Sequence, residues 1–298
     1  MVSHSTQDAA AIAASFEKVL NRHGYPFQYC ILRRAHELAN GARSKWIFEA
    51  TEVPVQTQET GTRIDFVLKL GRDRSATLLA ECKRVNPRMS NWCFVRAPYS
   101  RRTARVPQLI LEEVSQQPPN GHPQVTGPWG SVVSGARKIA AAAEDVFHVG
   151  LVIEGPETGD KDGKPDRDAI EVAATQICRG LNGFVNLLSA KTQLLGSRHC
   201  AVLLPVIFTT AKLWAADVDL GSPEGHVQIP ESQLKAKNWL WYEYNQSPGI
   251  RHAISSDEQP GDLNAMLEHD FVRSIAIVSL DGVDEFLWWS GENADTWM

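Results

Sequence analysis

The sequence predicts an α/β sandwich with a mixed central sheet, on three observations. Helical apolar periodicity opens the chain. Two apolar runs separated by a polar turn follow at 62–85, and a later amphipathic helix leads into a continuous apolar run at 201–208. The order α, α, β, β, β, then α, β is the pattern of helices covering a sheet. With 298 residues, 43% of them hydrophobic and 22% charged, the chain can bury a sizeable core.

Each element has its own signal. Over Ala9 to Arg22, Ile12, Phe16, Val19 and Leu20 recur at helical spacing, and Gly24-Tyr25-Pro26 stops the helix. A second helix is expected from Gln28 to Ala39, with Ile31, Leu32, Ala35 and Leu38 on one side and Gly41 as its stop. Trp46 to Gln56 reads as a strand, and Pro54 places it at an edge or a bulge. Thr62 to Leu70 and Ala76 to Val85, joined by the polar turn 71–75, read as a β-hairpin. Residues 88–129, rich in proline and glycine, read as a long excursion outside the core. Beyond them, Gly130 to Ala143 is expected to be a helix, Phe147 to Ile153 a strand and Gly155 to Arg167 a polar loop. Asp168 to Ala190 carries the apolar stripe Ile170, Ala173, Ile177, Leu181, Phe184 and Leu188. The unbroken apolar run Ala201 to Phe208 is the signature of a central strand buried on both faces. Trp239 to Tyr244 and Ser274 to Ser279 are further strands, and Val283 to Trp289 a short closing helix. The expected organisation is one domain over 1–220, with 88–167 inserted, and a Trp-rich segment, 221–298, packed on it.

Composition removes several function classes. Lys and Arg total 30 against 35 Asp and Glu, a net charge of −5, which excludes a globally basic nucleic-acid coat but leaves a local basic face open. Five scattered cysteines without a CxxC pair argue against a disulfide scaffold and a cysteine zinc site, and fit a reducing cytoplasm. The N-terminus lacks the basic and apolar regions of a signal peptide, and Pro205 interrupts the longest apolar stretch, so a soluble cytoplasmic protein is expected. A Walker A motif, GxGxxG and GxSxG are absent, which argues against an ATP motor and a hydrolase elbow. His122, His148, His199 and His226 lack metal-ligand spacing, and the loop at 155–167 lacks the ligand spacing of a calcium loop. The C-terminal tryptophans read as packing residues.

The chemistry concentrates in the hairpin. Asp65 lies in its first strand, and Glu81 and Lys83 lie in its second as Glu-x-Lys, so the latter two share a face. If Gly71 pairs with Ser75, Asp65 stands directly opposite Glu81, with their Cβ atoms roughly 5 Å apart. A shift of one residue would send Asp65 to the wrong face unless a bulge corrects it. Two adjacent carboxylates stay ionised together only beside a cation, and oxygen ligands favour Mg²⁺ or Mn²⁺. Such an ion polarises a phosphodiester and lowers the pKa of bound water. Lys83 would orient that water or offset charge on phosphorus, and the Cys82 carbonyl is a further metal ligand to hand.

The segment TRIDFVL followed by LLAECKR resembles the PD-(D/E)XK nuclease superfamily, the restriction-endonuclease-like fold. The helix SFEKVLNRHGY (Ser15 to Tyr25) is similar to the first helix of Mrr-type members, and the resemblance spans about Phe16 to Thr210, with 88–167 unmatched. Ile64 stands where the eponymous proline would be. The resemblance implies Asp65 and Glu81 as metal ligands, Lys83 as catalytic lysine, Glu17 as an extra acidic residue with Glu49 and Glu52 as rivals, and Gln176 as a pocket glutamine. It implies a Mg²⁺-dependent endonuclease, with DNA preferred to RNA and a role in restriction, phage defence or repair by analogy. The alternative is a catalytically silent module of the same fold that binds nucleic acid or a protein, and a homo-oligomer stays open.

A local basic stretch supports a nucleic-acid partner. Lys83, Arg84, Arg88, Arg96, Arg101, Arg102 and Arg105 fall in a span without Asp or Glu, interleaved with Trp92, Phe94 and Tyr99. Arg101, Arg102 and Arg105 are the expected phosphate ligands, and Trp92 the expected packing residue.

Overall fold

The computed structural model describes residues 6–22, 24–56, 61–70, 76–97, 109–113, 129–131, 146–153, 168–195, 199–218, 220–223, 225–245 and 272–294. Helix α1 (Thr6–Arg22) and helix α2 (Tyr25–Asn40) come first, joined through Gly24, whose φ of 73° is open to glycine without strain. Pro26 in the first turn of α2 needs no N–H there, so the helix starts three residues earlier than its apolar stripe suggests. Strands β1 (Trp46–Gln56), β2 (Gly61–Leu70) and β3 (Ala76–Lys83) follow as an antiparallel meander. Long helix α3 (Ala169–Leu195) then leads to β9 (His199–Thr209), which runs parallel to β3.

The central sheet has the order β1-β2-β3-β9-β13-β12-β7, with β13 (Val272–Ser279), β12 (Trp239–Asn245) and β7 (Val146–Phe147). It is mixed: β3, β9 and β13 are parallel, as are β12 and β7, and the pairs β1–β2, β2–β3 and β13–β12 are antiparallel. The 221–298 segment thus hydrogen-bonds into the sheet through β12 and β13 as well as packing on it. Strand β5 (Leu109–Glu113), itself paired with β6 (Trp129–Ser131), binds the first half of β9 up to Leu203, and β13 binds the second half from Val206. Pro205 falls between those two partners, where its missing N–H costs no ladder bond on that side.

The layers explain the burial pattern. One face of the sheet packs under α3 through Val67, Leu79, Leu203, Ile207 and Ile277 against Ala173, Ile177 and Leu181. The other face packs under α2 and the closing helix α4 (Val283–Ala294) through Phe66, Leu68, Leu78, Val206 and Phe208 against Phe27, Ile31, Phe286 and Leu287. Trp239, Trp241, Phe286 and Trp289 form one aromatic cluster there, as expected for packing residues, whereas Trp288 is 53% exposed.

Three expectations need correction. Residues 88–129 are not wholly outside the core. Asn91–Val95 forms β4 of a second sheet, ordered β11-β10-β4-β8, and Trp92 and Phe94 are fully buried on the α3 side. Its other strands are β8 (Val149–Ile153), β10 (Lys212–Ala216) and β11 (Leu234–Lys237), and the last two are too short to show a period in the sequence. The run 147–153 is split at His148, because β7 belongs to the central sheet and β8 to the second. The helix expected at 130–143 lies outside the described residues except for 130 and 131, which belong to β6. The loop at 155–167 also lies outside them.

Candidate functional site

Strand register builds the site. Phe66 faces Ala80 and Val67 faces Leu79, the register that the turn length predicts, and Asp65 and Glu81 lie one residue beyond the last ladder pair. On the other side of β2, Thr51 faces Phe66 and Val53 faces Ile64, which sets Glu52 opposite Asp65. Glu52, Asp65 and Glu81 thus come from three neighbouring strands and lie near enough for their charges to act on one another. Like charges brought together weaken a sheet.

The strands are irregular at this rung. Ile64 and Val67 both lie in the layer under α3 while Phe66 lies in the opposite layer, so the alternation of β2 slips at Asp65. On β1 the register shifts between Phe48 and Ala50, and Glu52 has a φ of 50°. A left-handed backbone at a non-glycine residue costs about 1–3 kcal/mol and persists only where its surroundings enforce it.

Hydrogen bonds fix two of the three carboxylates. Asp65 Oδ2 accepts from the Cys82 amide at 2.6 Å, and so ties β2 to β3 beyond their last ladder pair. Gln28 of α2 is only 4% exposed. Its Nε2 donates to the Asp65 main-chain oxygen at 2.8 Å and to Glu52 Oε1 at 3.1 Å. Glu52 Oε2 lies 3.7 Å from Arg63 Nη1 on the solvent side. Glu81 is 5% exposed and shows no hydrogen bond or ion pair among the described residues.

These surroundings shift the acids. Burial pushes Asp65 up to about 6, with the Cys82 amide pulling it down and the charge of Glu52 pushing it further up. Burial raises Glu81 well above the usual carboxylate value; the charges of Asp65 and Glu52 add to the rise and Lys83 opposes it. The Cys82 thiol is raised by burial and then by all three carboxylates, so it is no thiolate nucleophile at neutral pH. A crowded set of oxygen donors with one lysine beside it is chemistry that suits a hard divalent cation.

The remaining sequence candidates are placed as follows. Lys83, half-buried, follows Glu81 on the same face of β3. Gln176 is half-buried on α3, and among the described residues it shows no hydrogen bond to the carboxylates. Glu17 is exposed on α1 and is not among the charges that shift Asp65 or Glu81; Glu52 is. Glu49 is engaged by Lys69 Nζ. Arg84 donates to the Asn21 carbonyl near the end of α1, and Arg88 lies in a short helical turn at 87–89. Arg96 stacks over the Phe147 ring at 5.5 Å and lies 3.8 Å from Asp217. Arg101, Arg102 and Arg105 lie outside the described residues. Gln28 escaped the sequence reading. A signal for it exists: it occupies the apolar stripe of α2 one turn before Ile31, where a polar side chain needs a buried partner.

The site also has a place in the topology. The parallel pair β3 and β9 leaves the central sheet together and continues as the parallel pair β4 and β10. Thr210 N donates to the Lys83 carbonyl at 3.3 Å, Val85 N to Thr210 Oγ1 at 3.0 Å and Lys212 N to the Ser90 carbonyl at 2.8 Å, which locks the two bends. Glu81 and Lys83 thus stand at the carboxyl end of a parallel pair, where open sheets bind ligands. An open groove of about 710 Å³ between α2 and β1 is lined by Tyr29, Cys30, His36, Phe48 and Thr51 among others, and includes none of the three carboxylates. Among the described residues, no three His, Cys, Asp or Glu side chains converge closely enough to grip a metal ion as they stand. No helix among the described residues is long and apolar enough to cross a membrane. No protein family, curated protein or solved structure matches the chain.

Proposed function

We propose that the protein is a divalent-cation-dependent nuclease that hydrolyses phosphodiester bonds. The observation that carries this reading is the closeness of Asp65 to Cys82 and Glu81, with Lys83 on the same face of β3 as Glu81, at the carboxyl end of a parallel strand pair. Support comes also from the order α1, α2, β1, β2, β3, α3, β9, in which the helix the resemblance matches, α1, is followed by a second helix before the strands. Asp65 and Glu81, with the Cys82 carbonyl, are the residues that would hold Mg²⁺ or Mn²⁺. Bound there, the ion supplies polarisation of the phosphodiester and a lowered pKa for water.

The chain's own residues do the rest. The Asp65–Cys82 hydrogen bond fixes one carboxylate oxygen and leaves the other for ligation. Glu81 has little water around it, which strengthens its pull on a cation. Lys83 orients the attacking water or neutralises charge growing on phosphorus. Arg84 and Arg88 follow the strand that carries Lys83 and would meet phosphates of a nucleic acid, with DNA favoured by the resemblance. The burial of Glu81 favours a second reading, a module that binds nucleic acid without turnover.

One experiment separates them. Plasmid, linear and single-stranded DNA are incubated with the purified chain and Mg²⁺ or Mn²⁺. The nuclease reading expects cleavage that a chelator abolishes and that Asp65→Ala or Lys83→Ala removes while the variants stay folded. Intact DNA with measurable binding supports the silent module, and intact DNA without binding overturns both readings for these substrates.

A further inference from the structure

We propose that helix α1 docks in the groove between α2 and β1 of a second copy of this chain, and that the second copy's α1 docks in return. Helix α1 carries Ile12, Phe16 and Val19 at the i, i+4, i+7 spacing of a helix that seats one face in a groove. These side chains are 69%, 61% and 49% exposed, and from Ala9 to Asn21 no residue of α1 is buried. A lone helix of 17 residues is marginal in water, and burial of its apolar stripe is what stabilises such a helix. None of the three stripe residues lines the groove of its own chain.

The groove has the complementary character. Tyr29 and Leu32 of α2 face Phe48 of β1 across it, and Tyr29 and Phe48 stay 59% and 50% exposed. Helix α2, at 16 residues, matches α1 in length. Each copy thus offers one helix stripe and one groove, and two copies close around a two-fold axis by making the contact twice. At 150–250 Å² for a buried aromatic, the exposed parts of Phe16, Tyr25, Tyr29 and Phe48, with Ile12 and Val19, amount to about 600 Å² per copy; flanking polar groups bring this near the roughly 800 Å² per partner of a stable interface. Charge favours this occupant over a lipid surface. Asp8 and Glu17 balance Lys18 and Arg22, so α1 lacks the positive excess that anionic lipid attracts. Glu17, next to Phe16, is opposite in sign to Arg33 on the groove rim. A docked helix also covers the outer side of β1, which has no ladder partner among the described residues.

The test is sedimentation equilibrium of the full chain, native and with Phe16→Glu, Tyr29→Glu or Leu151→Glu, each checked by circular dichroism. We expect a native dimer, weakened by about 30-fold or more in Phe16→Glu and in Tyr29→Glu. Leu151→Glu changes a side chain that is 53% exposed on the second sheet and should leave association native. Glu17→Arg and Arg33→Glu should each weaken the dimer and recover when combined, which a dimer formed through another face would not produce. If Phe16→Glu unfolds α1, Tyr29→Glu decides, because it lies outside that helix. A native chain that stays monomeric overturns the proposal, and binding of that monomer to phosphatidylserine vesicles assigns α1 to a lipid surface instead. Loss of the dimer in Phe16→Glu beside native association in Tyr29→Glu also overturns it, because α1 then pairs outside the groove.

Discussion

Strands β3 and β9 lie side by side in the middle of the sheet, run in the same direction and bend together into the second sheet. Their last rungs differ. Where β9 has Ile207, Phe208 and Thr209, β3 has Glu81, Cys82 and Lys83. Ile207 packs under α3 and Phe208 stacks on Phe66, and both are fully buried. Thr209 turns its hydroxyl to the Ala211 amide at 3.1 Å and helps make the bend. One strand ends in groups that hold the fold together, and its neighbour ends in a buried acid and a lysine. Apolar side chains at these positions of β9 show that the bend itself does not require charge. The acid and the lysine on β3 are therefore not demanded by the bend.

The largest expected effect breaks this comparison on the β3 side. Glu81→Ala and Lys83→Ala should lower cation-dependent cleavage by about 100-fold or more while circular dichroism stays native. Equal activity in Lys83→Ala would remove the lysine from the mechanism. The β9 counterpart should fail in the opposite way. Ile207→Ala empties a site under α3 and should cost about 2–5 kcal/mol in denaturant unfolding, with cleavage per folded molecule retained.

Titration sharpens the contrast further. Asp65 has its folded value raised to about 6, so the native state holds a proton that the unfolded chain releases at lower pH. In chelator, stability should be highest below about pH 4 on account of this group and fall as pH rises through about 6, and Asp65→Asn should flatten that fall. Cation affinity should run the other way and strengthen across the same interval, because the carboxylates must lose their protons to bind. The smallest effect belongs to the control. Lys69→Met breaks the pair with Glu49, should shift stability by less than about 1 kcal/mol and should leave Mn²⁺ affinity unchanged.

Much of this architecture was legible in the residues, for identifiable reasons. The hairpin register follows from the length of the turn at 71–75, and both flanking strands have enough apolar residues to reveal their ends. The apolar run at 201–208 is unbroken because β9 is covered on both faces. β4 was lost because four consecutive buried residues inside a proline-rich stretch show no period that separates core from loop. At the site, Glu81 and Lys83 could be read onto one face because alternation along β3 relates them, whereas the slip of β2 at Asp65 leaves no such pattern. The closeness of Glu52 depends on a bulge and a left-handed residue in β1, and the bridge from Gln28 depends on how a helix docks. Neither leaves a local pattern in the sequence.

The irregularity of β1 has one more consequence. This strand is the outer boundary of the central sheet, it is 11 residues long, and its far side has no ladder partner among the described residues. A straight strand of that length would offer its free amides and carbonyls to any passing chain and invite stacking into aggregates. The shifted register at Phe48, the left-handed turn at Glu52 and the missing amide of Pro54 interrupt that row three times within seven residues. The distortion that brings Glu52 within reach of Gln28 also blunts the border.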